Sequence, residues 1–183
     1  MSFPGNQPPW QSLNAMATSG ARQTRRRISS ERAVELFTLG YEKRTLESFL
    51  ELLREAGIDA VIDVRDVPWS HKPGFSKGPL SEALPEAGIE YMHAGFAGNP
   101  KALRSAAQDN ADALGRYEEH LRERPEIVAE LDALLGPLHA AGKKACLICF
   151  ERDPQDCHRG ILARAWAKSR PAVVRHLGAE REP

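Results

Sequence analysis

The segment from Cys149-Phe150-Glu151 to Cys157-His158-Arg159 gathers two thiols, a carboxylate, an imidazole and a guanidinium in one short stretch. These are the groups that nucleophilic and proton-transfer chemistry uses. A thiol reacts as its thiolate, so a helix N-terminus or a neighbouring cation raises its reactivity. Cys157 is predicted to open a helix with His158 and Arg159 beside it. It is therefore expected to be the acidified thiol and the nucleophile, with His158 and Glu151 as the proton-transfer groups. The alternative is that Cys157 is a small packing residue at a helix start, since buried cysteines are mostly inert. Cys146 falls inside an apolar strand and is expected in the core, whereas Cys149 stands at that strand's exit.

Arg159 at a helix start opposes the helix dipole unless it faces negative charge. A ligand phosphate or carboxylate would supply that charge, and so would Asp153, Asp156 or Asp63 in an ion pair. Arg65 has the same two readings. Arg65, Arg159, Asp63, Gly40, Tyr41 and Cys149 are the expected ligand-binding residues. Cys149, Cys157 and His158 are also metal-ligand types, with His71 or His93 to complete four. Their spacing matches no common zinc pattern such as paired C-x-x-C, so neither a metal nor another cofactor is expected. The Cys149 loop is not the C-x5-R phosphate cradle, because Gln155 stands where its Arg would be. P-loop and G-x-G-x-x-G patterns are absent as well.

Alternating strands and helices must position these groups. Leu36-Phe37-Thr38-Leu39 reads as a strand stopped by Gly40. Thr45 suits a helix N-cap, Leu46, Phe49, Leu50 and Leu53 recur at helical spacing, and Gly57 fits the left-handed stop. Ala60 to Val64 follows as a buried strand, which completes a βαβ unit within about thirty residues. A short helix over Leu80 to Ala87 and a strand over Ile89 to Met92 come next. Tyr117 to Ala141 is mainly helical, with Pro125 and Pro137 as dividers. Ala145 to Phe150 is a strand, Cys157 to Lys168 a helix, and Val173-Val174 opens a last strand. The pattern predicts a single α/β domain: a mostly parallel sheet with helices on both faces, three-layered and Rossmann-like. In such sheets ligands bind beyond the carboxyl ends of strands. That rule selects Gly40-Tyr41-Glu42, Asp63-Val64-Arg65 and Cys149-Phe150-Glu151.

Residues 1–33 are expected to be a disordered tail, 34–178 the domain and 179–183 a short C-terminal tail. The first thirty residues carry Arg22, Arg25, Arg26 and Arg27 and no acid; taking these four from 25 basic residues leaves 21 against 25 acidic ones. A net-acidic body disfavours broad nucleic-acid binding, which needs clustered Lys and Arg. No stretch approaches the roughly 18 apolar residues of a membrane span. Neither a secretory signal nor a disulfide framework is indicated, and the three cysteines suit a reducing, cytoplasmic compartment.

Several motifs recur in order: Thr38-Leu39-Gly40-Tyr41 with Arg44-Thr45, Asp63-Val64-Arg65 with Pro68, Phe75-Ser76-Lys77, Gly88-Ile89 with Tyr91 and His93, and Cys149-x-Glu151-x-x-Pro154-x-x-Cys157-His158-Arg159. Together they resemble the domain-of-unknown-function family numbered 488, over roughly residues 36 to 177. The resemblance implies a compact α/β domain of bacterial-type cytoplasmic proteins, with no reaction to transfer. The leading functional expectation is a protein that binds a small anionic or phosphate-bearing ligand at the strand ends and acts on it through the Cys-His-Arg motif. The alternatives are a non-catalytic nucleotide- or nucleic-acid-binding accessory domain, and a rhodanese-like sulfur carrier suggested by Ile62-Asp63-Val64-Arg65 and Cys149. Oligomeric state is not indicated.

Overall fold

The computed structural model describes residues 33–179. The two expected tails lie outside the described residues except for their bordering positions, 33 and 179. Five strands form one all-parallel sheet: β1 (Val34–Gly40), β2 (Ala60–Asp63), β3 (Glu90–His93), β4 (Ala145–Cys149) and β5 (Ala172–Leu177). Their spatial order is β3-β2-β4-β1-β5. The helices are α1 (Leu46–Glu55), α2 (Lys77–Glu86), α3 (Lys101–Ser105), α4 (Asn110–Glu123), α5 (Glu126–Ala140) and α6 (His158–Ala167). No helix among the described residues is long and apolar enough to cross a membrane.

Alternation along the strands divides the core in two. Leu36, Ala60, Ile62, Ala145 and Leu147 point to one face, where Tyr117 and Leu121 of α4, Leu131 and Leu135 of α5, and Leu162 and Trp166 of α6 cover them. Phe37, Leu39, Val61, Cys146 and Ile148 point to the other, against Phe49 and Leu53 of α1 and Leu80 and Leu84 of α2. Both faces of the sheet are therefore dry, which is why β4 and the first three residues of β2 are apolar. The three-layer expectation holds.

Local signals behave as their chemistry requires. The Thr45 hydroxyl accepts from the Ser48 amide, capping α1, and Gly57 takes φ 66° just past its end. Two expectations change. The helical region begins earlier, because Asp109 caps α4 through the Asp112 amide. Pro125 does divide α4 from α5, but Pro137 sits inside α5 without ending it. The buried stripe Ile127, Leu131, Leu135 and Leu138 keeps that helix on the sheet despite the missing donor.

The strand order differs from a simple βαβ pair, because β4 lies between β1 and β2. Chain leaving β1 and β2 runs to α1 and α2 on one face, whereas chain leaving β4 runs to α6 on the other. The connections diverge around the carboxyl end of β4, and a crevice opens where they part. Cys149 is the last residue of β4.

Candidate functional site

At the end of β2, Asp63 and Arg65 pair with each other. The Arg65 Nε donates to Asp63 Oδ1 at 2.8 Å, and an Nη2 hydrogen reaches Oδ2 at 2.5 Å. Nη1 donates to the Tyr41 hydroxyl and the Phe75 carbonyl, both at 2.8 Å. The Tyr91 hydroxyl donates to Asp63 Oδ2 at 2.8 Å. Burial opposes the guanidinium charge, but Asp63 outweighs it and holds Arg65 above its ordinary value. Of the two readings open for Arg65, the ion pair is present, and four of its five N–H groups are committed to protein acceptors. Tyr41 is buried, its ring stacked on Phe75 at 4.4 Å.

The centre of the site is the group at the end of β4 and the start of α6. Cys157 caps α6 in extended conformation, and its position puts His158 on the first turn. His158 Nε2 lies 2.9 Å from the Val64 carbonyl oxygen. A carbonyl only accepts, so this nitrogen carries the hydrogen and the neutral imidazole has its lone pair on Nδ1. Nδ1 stands 3.6 Å from Cys149 Sγ and 4.0 Å from Cys157 Sγ. Cys149 Sγ also lies 3.4 Å from Glu151 Oε2. The Tyr117 ring packs edge-on against the imidazole at 5.2 Å.

Both thiols are buried, Cys149 at 5% exposure, and they differ in that only Cys149 borders the cleft. Cys157 is 0% exposed, and burial pushes its thiol well above the ordinary value, with the adjacent Cys149 adding to the rise. The expected acidified thiol at Cys157 is therefore reversed: the dipole of a helix start acts on it, but desolvation is larger. Cys149 lines the cleft. Cys146 is fully buried within β4, and burial raises its thiol too, in line with its expected core position.

Arg159 points away from the cleft. Fully buried, it donates to the backbone carbonyls of Glu151 and Arg152, the latter at 2.9 Å. These bonds go to backbone carbonyls and not to Asp153, Asp156 or Asp63, and through them the guanidinium ties the loop after β4 to α6. Gly40 serves the same loop. A Cβ at Gly40 would stand 1.8 Å from the Glu151 carbonyl oxygen, so only glycine lets the loop lie on the end of β1.

A cleft of about 490 Å³ opens over this edge of the sheet. Tyr41, Arg65, Cys149, Glu151 and His158 line it; Gly40, Asp63, Cys157 and Arg159 support it from behind. Lys72, Arg104, His71, Asn99 and Asp66 also line it, and Trp69 and Phe150 stand at its wall, 60% and 44% exposed. Lys72 Nζ rests on the Tyr41 carbonyl at 3.0 Å, and Arg104 holds the Asn99 carbonyl at 3.0 Å. Sequence reasoning missed Lys72, Arg104, Asn99, Asp66 and Trp69; it had selected Phe150 with the end of β4 and named His71 only as a possible metal ligand. Following β2's exit beyond Pro68, and applying the strand-end rule to β3, would have found most of them. Of the two histidines considered as further metal ligands, His93 bonds the Arg65 carbonyl at 2.9 Å and His71 packs on Trp69.

Fold and site together define a three-layer α/β domain with a thiol–imidazole pair at the carboxyl edge of its parallel sheet. The family model described as domain of unknown function DUF488 matches residues 45–166, more than half of the chain. The chain belongs to that family. The match is narrower at both ends than the span over which the motifs recur. No curated protein and no solved structure matched the chain.

Proposed function

We propose that the cleft binds a small anionic ligand and that Cys149 displaces a leaving group from an electrophilic centre on it: His158 accepts the thiol proton as the new sulfur bond forms and returns it to the departing group as the old bond breaks. One observation carries this reading: the Val64 carbonyl fixes the His158 tautomer so that Nδ1 faces Cys149 Sγ at 3.6 Å on the cleft wall. A base within reach of a thiol and itself oriented by a third group is the arrangement that activates sulfur nucleophiles. Glu151 stands on the other side of the same sulfur and is the second proton acceptor. Cys157 becomes a supporting residue, and Arg159 a positioning residue for the loop. Lys72 and Arg104 supply the cationic side of the cleft: Arg65 is held by Asp63 at 2.5 Å, whereas Arg104 meets Asp66 only at 3.8 Å and is half-exposed. Exposed Trp69 and Phe150 suit a ligand with a flat apolar part.

Two alkylating agents of like size test the reading: neutral iodoacetamide and anionic iodoacetate. Relative to a small free thiol, Cys149 should react faster with both, and its advantage should be greater for iodoacetate. Replacing Lys72 and Arg104 by Ala should remove the excess for iodoacetate alone. Equal relative rates for the two reagents would sink the anion reading. The competing readings, a nucleotide-binding accessory domain and a sulfur carrier, use the same side chains. The accessory domain needs no base at Cys149, so slower labelling of Cys149 in His158→Ala argues against it. A sulfur carrier would hold cyanide-releasable sulfur on Cys149.

A further inference from the structure

We propose that Cys149, Cys157 and His158 form a binding site for a single thiolate- and imidazole-preferring cation of the zinc class, with a fourth coordination position open to the cleft. The inference stands on the site's geometry and not on the nucleophilic reading, with which it competes for the same sulfur lone pair.

The two sulfur–nitrogen separations are close to the edges of a coordination tetrahedron. Both sulfurs and the imidazole nitrogen lie within 4.8 Å of one another. Zinc bonds of about 2.3 Å to sulfur and 2.0–2.1 Å to nitrogen, at tetrahedral angles, give an S–N edge of about 3.6 Å and an S–S edge of about 3.8 Å. The observed S–N separations are 3.6 and 4.0 Å. The S–N edges need movements of a few tenths of an ångström, and the two sulfurs, within 4.8 Å of each other, would close by at most about 1 Å to reach the S–S edge.

The surroundings are those of a ligand histidine. Metal-bound imidazoles donate their other N–H to a carboxylate, carbonyl or water, which fixes ring and tautomer. His158 does this through Nε2 to the Val64 carbonyl and leaves Nδ1 directed at the two sulfurs. Arg159 holds the loop that carries the chain from Cys149 back to Cys157. The charges also balance. Two thiolates and one neutral imidazole cancel a divalent cation, so the loaded centre would be neutral at a place where a lone thiolate is disfavoured by burial. Cys149 and His158 border the cleft, so a water or a cleft ligand would complete the set, as in catalytic zinc sites with three protein ligands. Sequence spacing concealed this arrangement because the ligands do not come as paired C-x-x-C. The fold pairs the end of a strand with the start of a helix instead.

The test uses the untagged full chain, freed of metal by a chelator, titrated with zinc and with cobalt(II) as a spectroscopic probe. The expected result is one ion per chain, a thiolate-to-cobalt charge-transfer band, and release of at least one proton per ion. Zinc should protect Cys149 and Cys157 from alkylation together, and the chelator should restore labelling. Cys157→Ala should weaken zinc binding by more than the roughly 10- to 100-fold typical of losing an outer-shell partner, whereas Cys146→Ala should leave it unchanged. Absence of the charge-transfer band, or binding that leaves both thiols open to alkylation, would overturn the proposal. Because protection is read in the unsubstituted chain, a variant that fails to fold does not rescue it. Failure of the nucleophilic reading looks different: Cys149 would then be slow in the metal-free protein, whatever zinc does.

Discussion

Asp63 grips Arg65 through both carboxylate oxygens, at 2.8 and 2.5 Å, and the pair is almost wholly buried at the end of β2, with only Arg65 touching the cleft. The Tyr41 and Tyr91 hydroxyls bond to its two members, which places the floor of the cleft on one buried polar network. Removing one partner leaves the other charge buried and unpaired. Asp63→Asn should therefore cost about 3–5 kcal/mol in urea unfolding. A loss below about 1 kcal/mol would mean that Arg65 gains another acceptor or reaches solvent.

Gly40 gives a purely steric prediction. Its missing Cβ leaves room for the Glu151 carbonyl, which is backbone and cannot rotate away. Gly40→Ala should destabilise the domain by about 1–3 kcal/mol, as overpacking does. It should also accelerate amide exchange over residues 150–154, because the loop must lift off β1. Unchanged exchange in that segment would contradict the packing account.

Much of the fold could be read from the sequence, and the reasons are local. Thr45, the Leu46-Phe49-Leu50-Leu53 stripe and Gly57 carry their own boundaries, so α1 was legible within a residue. The start of α4 was not, because Asp109 caps a polar first turn and the large apolar side chains of its stripe, Tyr117 and Leu121, come only later in the helix. The insertion of β4 between β1 and β2 has no local signal at all. The site shows the same split. Strand-end reasoning found the 149–159 segment and Arg65. The partners of Arg159 and the burial of Cys157 were not readable, since both depend on the path of a loop and on packing by distant helices.

Alkaline titration tests the buried hydroxyls. Burial raises Tyr91, and Asp63, which accepts its hydrogen bond, raises it further. Burial likewise raises Tyr117, whose hydroxyl donates to the Ala97 carbonyl at 2.6 Å. A tyrosine whose folded value lies above its unfolded one stabilises the fold fully below about pH 10, and that contribution is lost as pH climbs toward the folded value. Of the three tyrosines, Tyr91 and Tyr117 should ionise only together with alkaline unfolding. Phenolate absorbance and circular dichroism followed on the same samples should show this coincidence. Two tyrosines titrating while the dichroism stays native would contradict the hydrogen-bonded network.

The rate at which each cysteine is alkylated in the native, metal-free chain tests the central claim most directly. Quenching at intervals and resolving the peptides by mass ranks Cys149, Cys157 and Cys146 in one experiment. The account predicts Cys149 first, because it borders the cleft with His158 Nδ1 at 3.6 Å, and Cys146 last, because it is enclosed in β4. His158→Ala should slow Cys149 about 10²-fold or more, the lower range for loss of a positioned base. If Cys157 labels before Cys149, or if Cys149 keeps its rate without His158, the thiol–imidazole pair is not the reactive centre of this protein.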